Sequence, residues 1–63
     1  MEERKLPADA DYSAIHSIRL EARQKLDQIR PLNLGQASRI SGVSPADLAA
    51  LIFWLEREEK NSD

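Results

Sequence analysis

Apolar residues recur every three or four positions through the first half of the chain. They lie at positions 12, 15, 18, 22, 26 and 29, and this spacing places side chains on one face of a helix. Pro31 cannot continue such a helix and favours an extended conformation at Arg30. Periodicity alone therefore predicts one continuous helix that ends just before Pro31.

A second helix is indicated by capping residues rather than by periodicity. Asn33 is a favourable N-cap, and Gln36 can reach back to the backbone three residues earlier, which is the arrangement of a capping box. Gly42 can adopt the left-handed conformation that follows the end of a helix. We predict a short helix over residues 34–40, followed by a tight turn.

A third helix begins after that turn. Ser44 is a second N-cap candidate, Pro45 suits the first helical position, and the charge of Asp47 suits a helix N-terminus. The apolar residues that follow extend this helix over residues 45–57. An apolar run of this length is far shorter than the roughly 20 residues that span a bilayer, so we expect no membrane contact.

These elements predict an all-α fold, a small bundle of three main helices. Pro7 keeps the preceding residue out of the helical conformation. We therefore predict a charged lead-in and extended linker over residues 1–11, a helical bundle domain over 12–57 and a frayed tail over 58–63.

Composition narrows the possible functions. Sixty-three residues form one small domain, and 41% hydrophobic residues argue against disorder. Nine basic and eleven acidic side chains give no overall attraction to nucleic acid. The chain has no cysteine, and its single histidine, His16, lacks partners for a transition-metal site. We expect a cytoplasmic protein without a metal site.

Four arginines are candidates for RNA contact. On a helix that reaches Arg30, Arg19, Arg23 and Arg30 project together, about 100° from the centre of the apolar stripe. Arg39 extends this ridge if the second helix packs alongside. The alternative is a solvated face whose charges pair within the helix.

The third helix carries apolar residues on two sides, which is more than a small core needs. One side forms the core stripe. The other side holds the candidate docking residues Ala46, Ala50, Phe53 and Trp54. These side chains either contact a separate protein, fold back under the segment around Tyr12 or under the tails of the chain, or pack against the rest of a longer chain. The helix has no basic residue before Arg57, which argues against specific DNA binding.

The run GQASRISGVSPAD, preceded by IRPL and followed by an apolar helix, resembles the C-terminal end of the GidA/MnmG family. The segments LPADADY and LEARQKL extend the resemblance over residues 6–55. It implies that the chain is a fragment of a longer protein. Family members commonly carry a glycine near Ser17 that separates a short turn from a helix. On that ground we predict a helical turn at 12–16 and a helix over 18–29.

The resemblance also implies a function. The family's enzymes work with the GTPase MnmE and use FAD and NADH to install carboxymethylaminomethyl-type groups on the wobble uridine, U34, of transfer RNA. Their C-terminal domain is associated with partner docking and tRNA engagement. This chain would then be a binding module for an MnmE-like GTPase, for tRNA, or for both, with no cofactor and no catalysis of its own. The alternative is a structural or oligomerisation cap that packs on the remainder of the parent chain.

Overall fold

The computed structural model describes residues 3–61, and it confirms the predicted all-α bundle. A 3₁₀ turn (Tyr12–Ala14) precedes three α-helices, which we call α1 (Leu20–Ile29), α2 (Leu34–Ser38) and α3 (Pro45–Asn61). The first two residues of the predicted lead-in and the last two of the predicted tail lie outside the described residues.

The segment before the 3₁₀ turn is non-helical, with a turn in which the N–H of Ala10 donates to the carbonyl of Pro7, and it is packed into the domain. The backbone N–H of Leu6 donates to the carbonyl of Leu32 at 2.9 Å, and the N–H of Leu34 donates to the carbonyl of Arg4 at 3.0 Å. Leu6 itself is buried. The described part of the lead-in and linker therefore contributes to the core.

The predicted break near Ser17 is present, since the 3₁₀ turn and α1 are separate elements. Helix α1 begins at Leu20, two residues later than expected. It ends with Arg30 in the left-handed conformation, at φ 53° and ψ 63°, where the N–H of Arg30 donates to the carbonyl of Leu26. The expectation of an extended Arg30 was wrong, because Pro31 excludes only the right-handed helical conformation here and a left-handed residue closes the helix.

The core is formed by the apolar faces of all the elements. Its largest fully buried side chains are Tyr12, Ile18, Leu26, Leu34 and Leu51. The stripe predicted along the first half of the chain is buried at five of its six positions, and Ile29, in the last turn of α1, is 53% exposed.

The Asn33 cap of α2 forms as predicted, whereas Gln36 bonds to the N–H of Leu32 and not to that of Asn33. The side-chain oxygen of Asn33 accepts a hydrogen bond from the N–H of Gln36 at 2.8 Å, and the Gln36 side chain accepts one from the N–H of Leu32 at 2.8 Å. The helix ends at Ser38, two residues earlier than expected. Gly42 has a φ of 102°, and a Cβ there would lie 3.2 Å from a carboxylate oxygen of Glu21. The turn therefore requires the glycine.

Helix α3 is longer than predicted. It begins at Pro45 and continues to Asn61, so residues 58–61 belong to the helix and not to a frayed tail. The Glu and Lys residues in this last part are good helix formers, which explains the extension. Within residues 3–61, no helix is long and apolar enough to cross a membrane, and no three side chains of metal-binding type come together.

Candidate functional site

Asp47 and Arg19 fasten the start of α1 to the start of α3. The Nε and one Nη of Arg19 donate to the same carboxylate oxygen of Asp47 at 3.0 and 2.8 Å, and the backbone N–H of Arg19 donates to the other oxygen at 3.1 Å. The same Nη reaches the carbonyl of Gly42 at 3.2 Å. Ser44 and Asp47 cap each other, because each backbone N–H donates to the other side chain. The carboxylate is 3% exposed and both of its oxygens accept hydrogen bonds, so it is a buried and fully hydrogen-bonded charge.

The charges at this corner are mutually stabilised. The hydrogen bonds from the Arg19 guanidinium hold the pKa of the Asp47 carboxyl well below its usual range, and the Ser44 hydrogen bonds add to the effect against the opposing cost of burial. The same contact raises the pKa of Arg19. Both groups are therefore ionised at neutral pH.

Arg23 connects α1 to the segment before it. Its Nε donates to the carbonyl of Ile18 at 2.9 Å, and one Nη donates to the carbonyl of Ser13 at 3.1 Å. These backbone carbonyls lie outside the α-helices, so Arg23 satisfies acceptors that no α-helical hydrogen bond uses.

Arg30 holds the N-terminal segment against α1. Its two Nη atoms donate to the carbonyls of Ala10 at 3.0 Å and Ala8 at 2.8 Å. One Nη also pairs with the carboxylate of Asp27 at 3.1 Å. The guanidinium carbon lies 5.2 Å from the centroid of the Tyr12 ring, within the range of a cation–π contact.

The predicted arginine ridge is not formed as one row on a helix. Arg19 precedes α1 and Arg30 follows it, so the condition that the helix reach Arg30 is not met. The guanidinium groups of Arg19, Arg23 and Arg30 donate to oxygens of the protein itself. Arg39 follows the last residue of α2 and is exposed. RNA contact through these four arginines stays a prediction.

The second candidate surface lies on α3. Phe53 is 63% exposed. Trp54 is half-buried, and its ring centroid lies 6.5 Å from that of Tyr12 with the rings tilted by 46°. Ala46 is exposed and Ala50 is half-buried. Trp54 therefore folds back onto the segment around Tyr12, and Phe53 does not.

A groove runs between this face of α3 and the segment that joins the 3₁₀ turn to α1. Its volume is about 400 Å³. One wall is formed by Ala14, Ile15, His16 and Ser17. The other is formed by Ala50, Phe53, Trp54, Arg57 and Glu58. The groove thus brings together three of the four candidate docking residues.

Phe53 also lines a second, more open depression. That depression is lined by Arg4, Phe53, Glu56, Arg57, Glu59 and Lys60. Phe53 and Arg57 line both concave regions, so these two side chains separate the groove from the depression.

Arg57 was not singled out by the sequence analysis, although it lies one helical turn after Phe53. Its guanidinium carbon is 6.0 Å from the centroid of the Phe53 ring. Within residues 3–61, Arg57 makes no hydrogen bond and no ion pair. The signal that could have identified it is the i,i+4 spacing of an arginine and an exposed aromatic residue.

Comparison with known proteins relates this bundle to larger enzymes. Residues 1–63 match the family model described as "tRNA modifying enzyme MnmG/GidA C-terminal helical bundle". The chain is 55% identical over 62 residues to the tRNA uridine 5-carboxymethylaminomethyl modification enzyme MnmG of Caldicellulosiruptor saccharolyticus, a match that covers 98% of this chain and 10% of that protein. It is 57% identical over 60 residues to the MnmG of Alkaliphilus oremlandii, which covers 95% of this chain and 10% of that protein.

A solved structure shares the fold. The crystal structure of Aquifex aeolicus GidA matches with a TM-score of 0.79 and 46% sequence identity, over 82% of this chain and 9% of that one. The chain spans about a tenth of the length of the curated relatives that it matches.

Proposed function

Because the chain belongs to the family of MnmG/GidA C-terminal helical bundles of tRNA modifying enzymes, we propose that it is a binding module of such an enzyme. It docks a protein partner, a GTPase of the MnmE type, through the face of α3 that carries Phe53. It performs no catalysis of its own. The larger enzyme modifies U34 of tRNA in the cytoplasm, with FAD and NADH bound outside this chain.

The exposure of Phe53 carries this proposal. The core closes around Tyr12, Leu51 and Leu55 without it, and 63% of Phe53 remains exposed beside a groove. Full burial of such a side chain contributes about 1.5–3 kcal/mol, and exposed aromatic residues beside concave surfaces are typical of protein interfaces. A protein partner that covers this face would gain that stabilisation.

The arginines favour protein over RNA as the main partner of this domain. A phosphate that bound Arg19, Arg23 or Arg30 would compete with hydrogen bonds that these guanidinium groups already donate to the protein at 2.8–3.2 Å. Arg39 is exposed and remains the first candidate for tRNA contact. Because Arg19 and Arg30 lie outside α1, we do not expect tRNA to bind along a continuous ridge of arginines on that helix.

The test is an amide NMR titration of the isotope-labelled chain with a purified MnmE-type GTPase. We expect shifts at positions 46, 50, 53 and 54, and we expect Phe53→Ala to abolish them. Leu32→Ala is the matched control, because Leu32 is 70% exposed and lines neither concave region. It should leave the titration unchanged.

Two results would contradict the proposal. A GTPase titration that shifts no residue of α3 would favour the alternative of a structural or oligomerisation cap. A parallel titration with unmodified tRNA, at low and physiological salt, tests the arginines. If tRNA alone shifts the α3 face, and Phe53→Ala removes that effect, the face binds RNA and not protein.

A further inference from the structure

We infer that the groove receives a helix of the partner protein, which presents aliphatic side chains to the groove floor and a carboxylate to Arg57. This inference rests on the proposed function, since it specifies the chemistry of the partner at the same face. It assigns to Arg57 a recognition role that neither the sequence pattern nor the family match gives it.

The shape of the groove suits a helix. The wall on α3 extends over positions 50–58, about 12 Å along the axis, which is the length of two helical turns. Ala14 and Ala50 are small, so a second backbone can approach closely between them. A volume of about 400 Å³ holds a few aliphatic side chains, the anchors by which amphipathic helices occupy such grooves.

The available hydrogen-bond donors of Arg57 indicate which chemical group the partner presents at the polar end of the groove. The Phe53 ring lies beneath its guanidinium, and within residues 3–61 none of its N–H donors has a protein acceptor. A guanidinium held in this way binds a carboxylate through two parallel hydrogen bonds, and little side-chain freedom is lost on binding. The guanidinium groups of Arg19 and Arg30, at the start and end of α1, by contrast already donate to oxygens of the protein.

The surrounding charge selects a single carboxylate over a polyanion. Positions 56–60 carry three glutamates and two cations. Glu58 lines the groove beside Arg57, and His16 lies in the opposite wall. A nucleic-acid backbone would bring many negative charges against these glutamates, whereas one carboxylate on a partner helix meets less of this repulsion and can pair with Arg57.

The test uses two synthetic amphipathic helical peptides with leucine anchors, identical except for Glu or Lys at the flank that faces Arg57. Binding is followed through Trp54 fluorescence and the amide signals of residues 50–58. We expect the unaltered chain to bind the Glu peptide roughly fivefold more tightly than the Lys peptide, the effect of one exposed ion pair. Arg57→Glu should reverse this preference.

Lys60→Glu is the matched control, because it makes the same change of charge outside the groove wall. It should preserve the preference for the Glu peptide. Equal binding of both peptides, or binding that leaves residues 50–58 unshifted, would overturn the inference. Displacement of the Glu peptide by an oligouridylate in the unaltered chain would overturn it in favour of RNA.

The proposal that Phe53 docks a GTPase and the proposal that Arg57 binds a carboxylate can be contradicted independently. If the GTPase binds through Phe53 but the peptides show no charge preference, the docking function stands and the role of Arg57 does not. If the peptides show the preference but the GTPase does not bind, the chemistry of the groove stands and the partner is a different protein.

Discussion

Arg19, before α1, and Arg57, near the end of α3, are both exposed along much of their side chains, yet their guanidinium groups have opposite surroundings. Arg19 donates to a carboxylate that is 3% exposed and to a backbone carbonyl. Arg57 contacts an aromatic ring that is itself 63% exposed. One arginine completes the fold, and the other is presented at its surface.

This difference shows that exposure of an arginine does not by itself indicate a binding role. The Arg19 corner is saturated, because every oxygen of Asp47 already accepts hydrogen bonds from Arg19 or Ser44. The Phe53 and Arg57 surface keeps both apolar area and hydrogen-bond donors available. Substitutions at the corner should therefore change stability, and substitutions at the surface should change binding.

Asp47→Ala should have the largest effect. It removes a buried carboxylate together with its charged hydrogen bonds and half of the α3 capping pair, and we expect a loss of about 3 kcal/mol in the free energy of unfolding. A domain of this size has only a few kcal/mol of stability, so much of the chain would be unfolded. Urea unfolding followed by circular dichroism at 222 nm measures this.

Asp27→Ala is the control for that variant. Asp27 also pairs with an arginine, but its side chain is 72% exposed, and such pairs contribute about 0–1 kcal/mol. An equal loss in both variants would show that the Asp47 corner is no more important for stability than a surface ion pair.

The free energy of unfolding should also decrease in acid. At moderately low pH this decrease should be smaller than the loss caused by Asp47→Ala. The pKa of Asp47 is lower in the folded chain than its ordinary value near 4 in the unfolded chain. Below that ordinary value the unfolded state binds more protons, so the free energy of unfolding decreases as the pH falls. The contribution of Asp47 is fully present above about pH 5 and is lost as the pH falls towards its folded pKa.

Urea midpoints at pH 7, 5, 4 and 3 check this pH dependence. Asp47→Asn, studied over the same series, should show a weaker dependence on pH because it lacks the titrating group. The same slope in both chains would assign the acid sensitivity to other carboxylates.

Local signals in the sequence were sufficient to predict most of the fold. The Asn33 and Ser44 caps and the left-handed Gly42 depend on residues only a few positions apart, and the structure contains all three. The break near Ser17 came from the family resemblance and not from periodicity, which favoured a continuous helix. Helix ends were less accurate, because the last turn depends on contacts that periodicity does not describe.

The roles of the arginines could not be predicted in the same way. Arg19 and Asp47 are 28 positions apart, and Arg30 bonds to carbonyls about 20 positions earlier. These contacts exist only once the helices have packed, so a helical projection of α1 could not reveal them. Phe53 was among the predicted docking residues. That Phe53 stays exposed while Trp54 packs on Tyr12 could not be predicted, because it depends on where Tyr12 lies in the folded chain.

The smallest expected effect on stability is that of Arg57→Ala, and it tests the comparison most directly. Since Arg57 makes no hydrogen bond or ion pair within residues 3–61, its removal should leave the urea midpoint within experimental error. Arg19→Ala should lower the midpoint measurably, because it removes the main partner of the buried Asp47 carboxylate. In the GTPase titration the order of the two variants should reverse. Arg57→Ala should weaken the shifts of the α3 amide signals. Arg19→Ala, measured well below its urea midpoint so that it is folded, should leave those shifts in place. If Arg57→Ala lowered the midpoint as much as Arg19→Ala, then both arginines would be structural and the available donors of Arg57 would have no bearing on recognition.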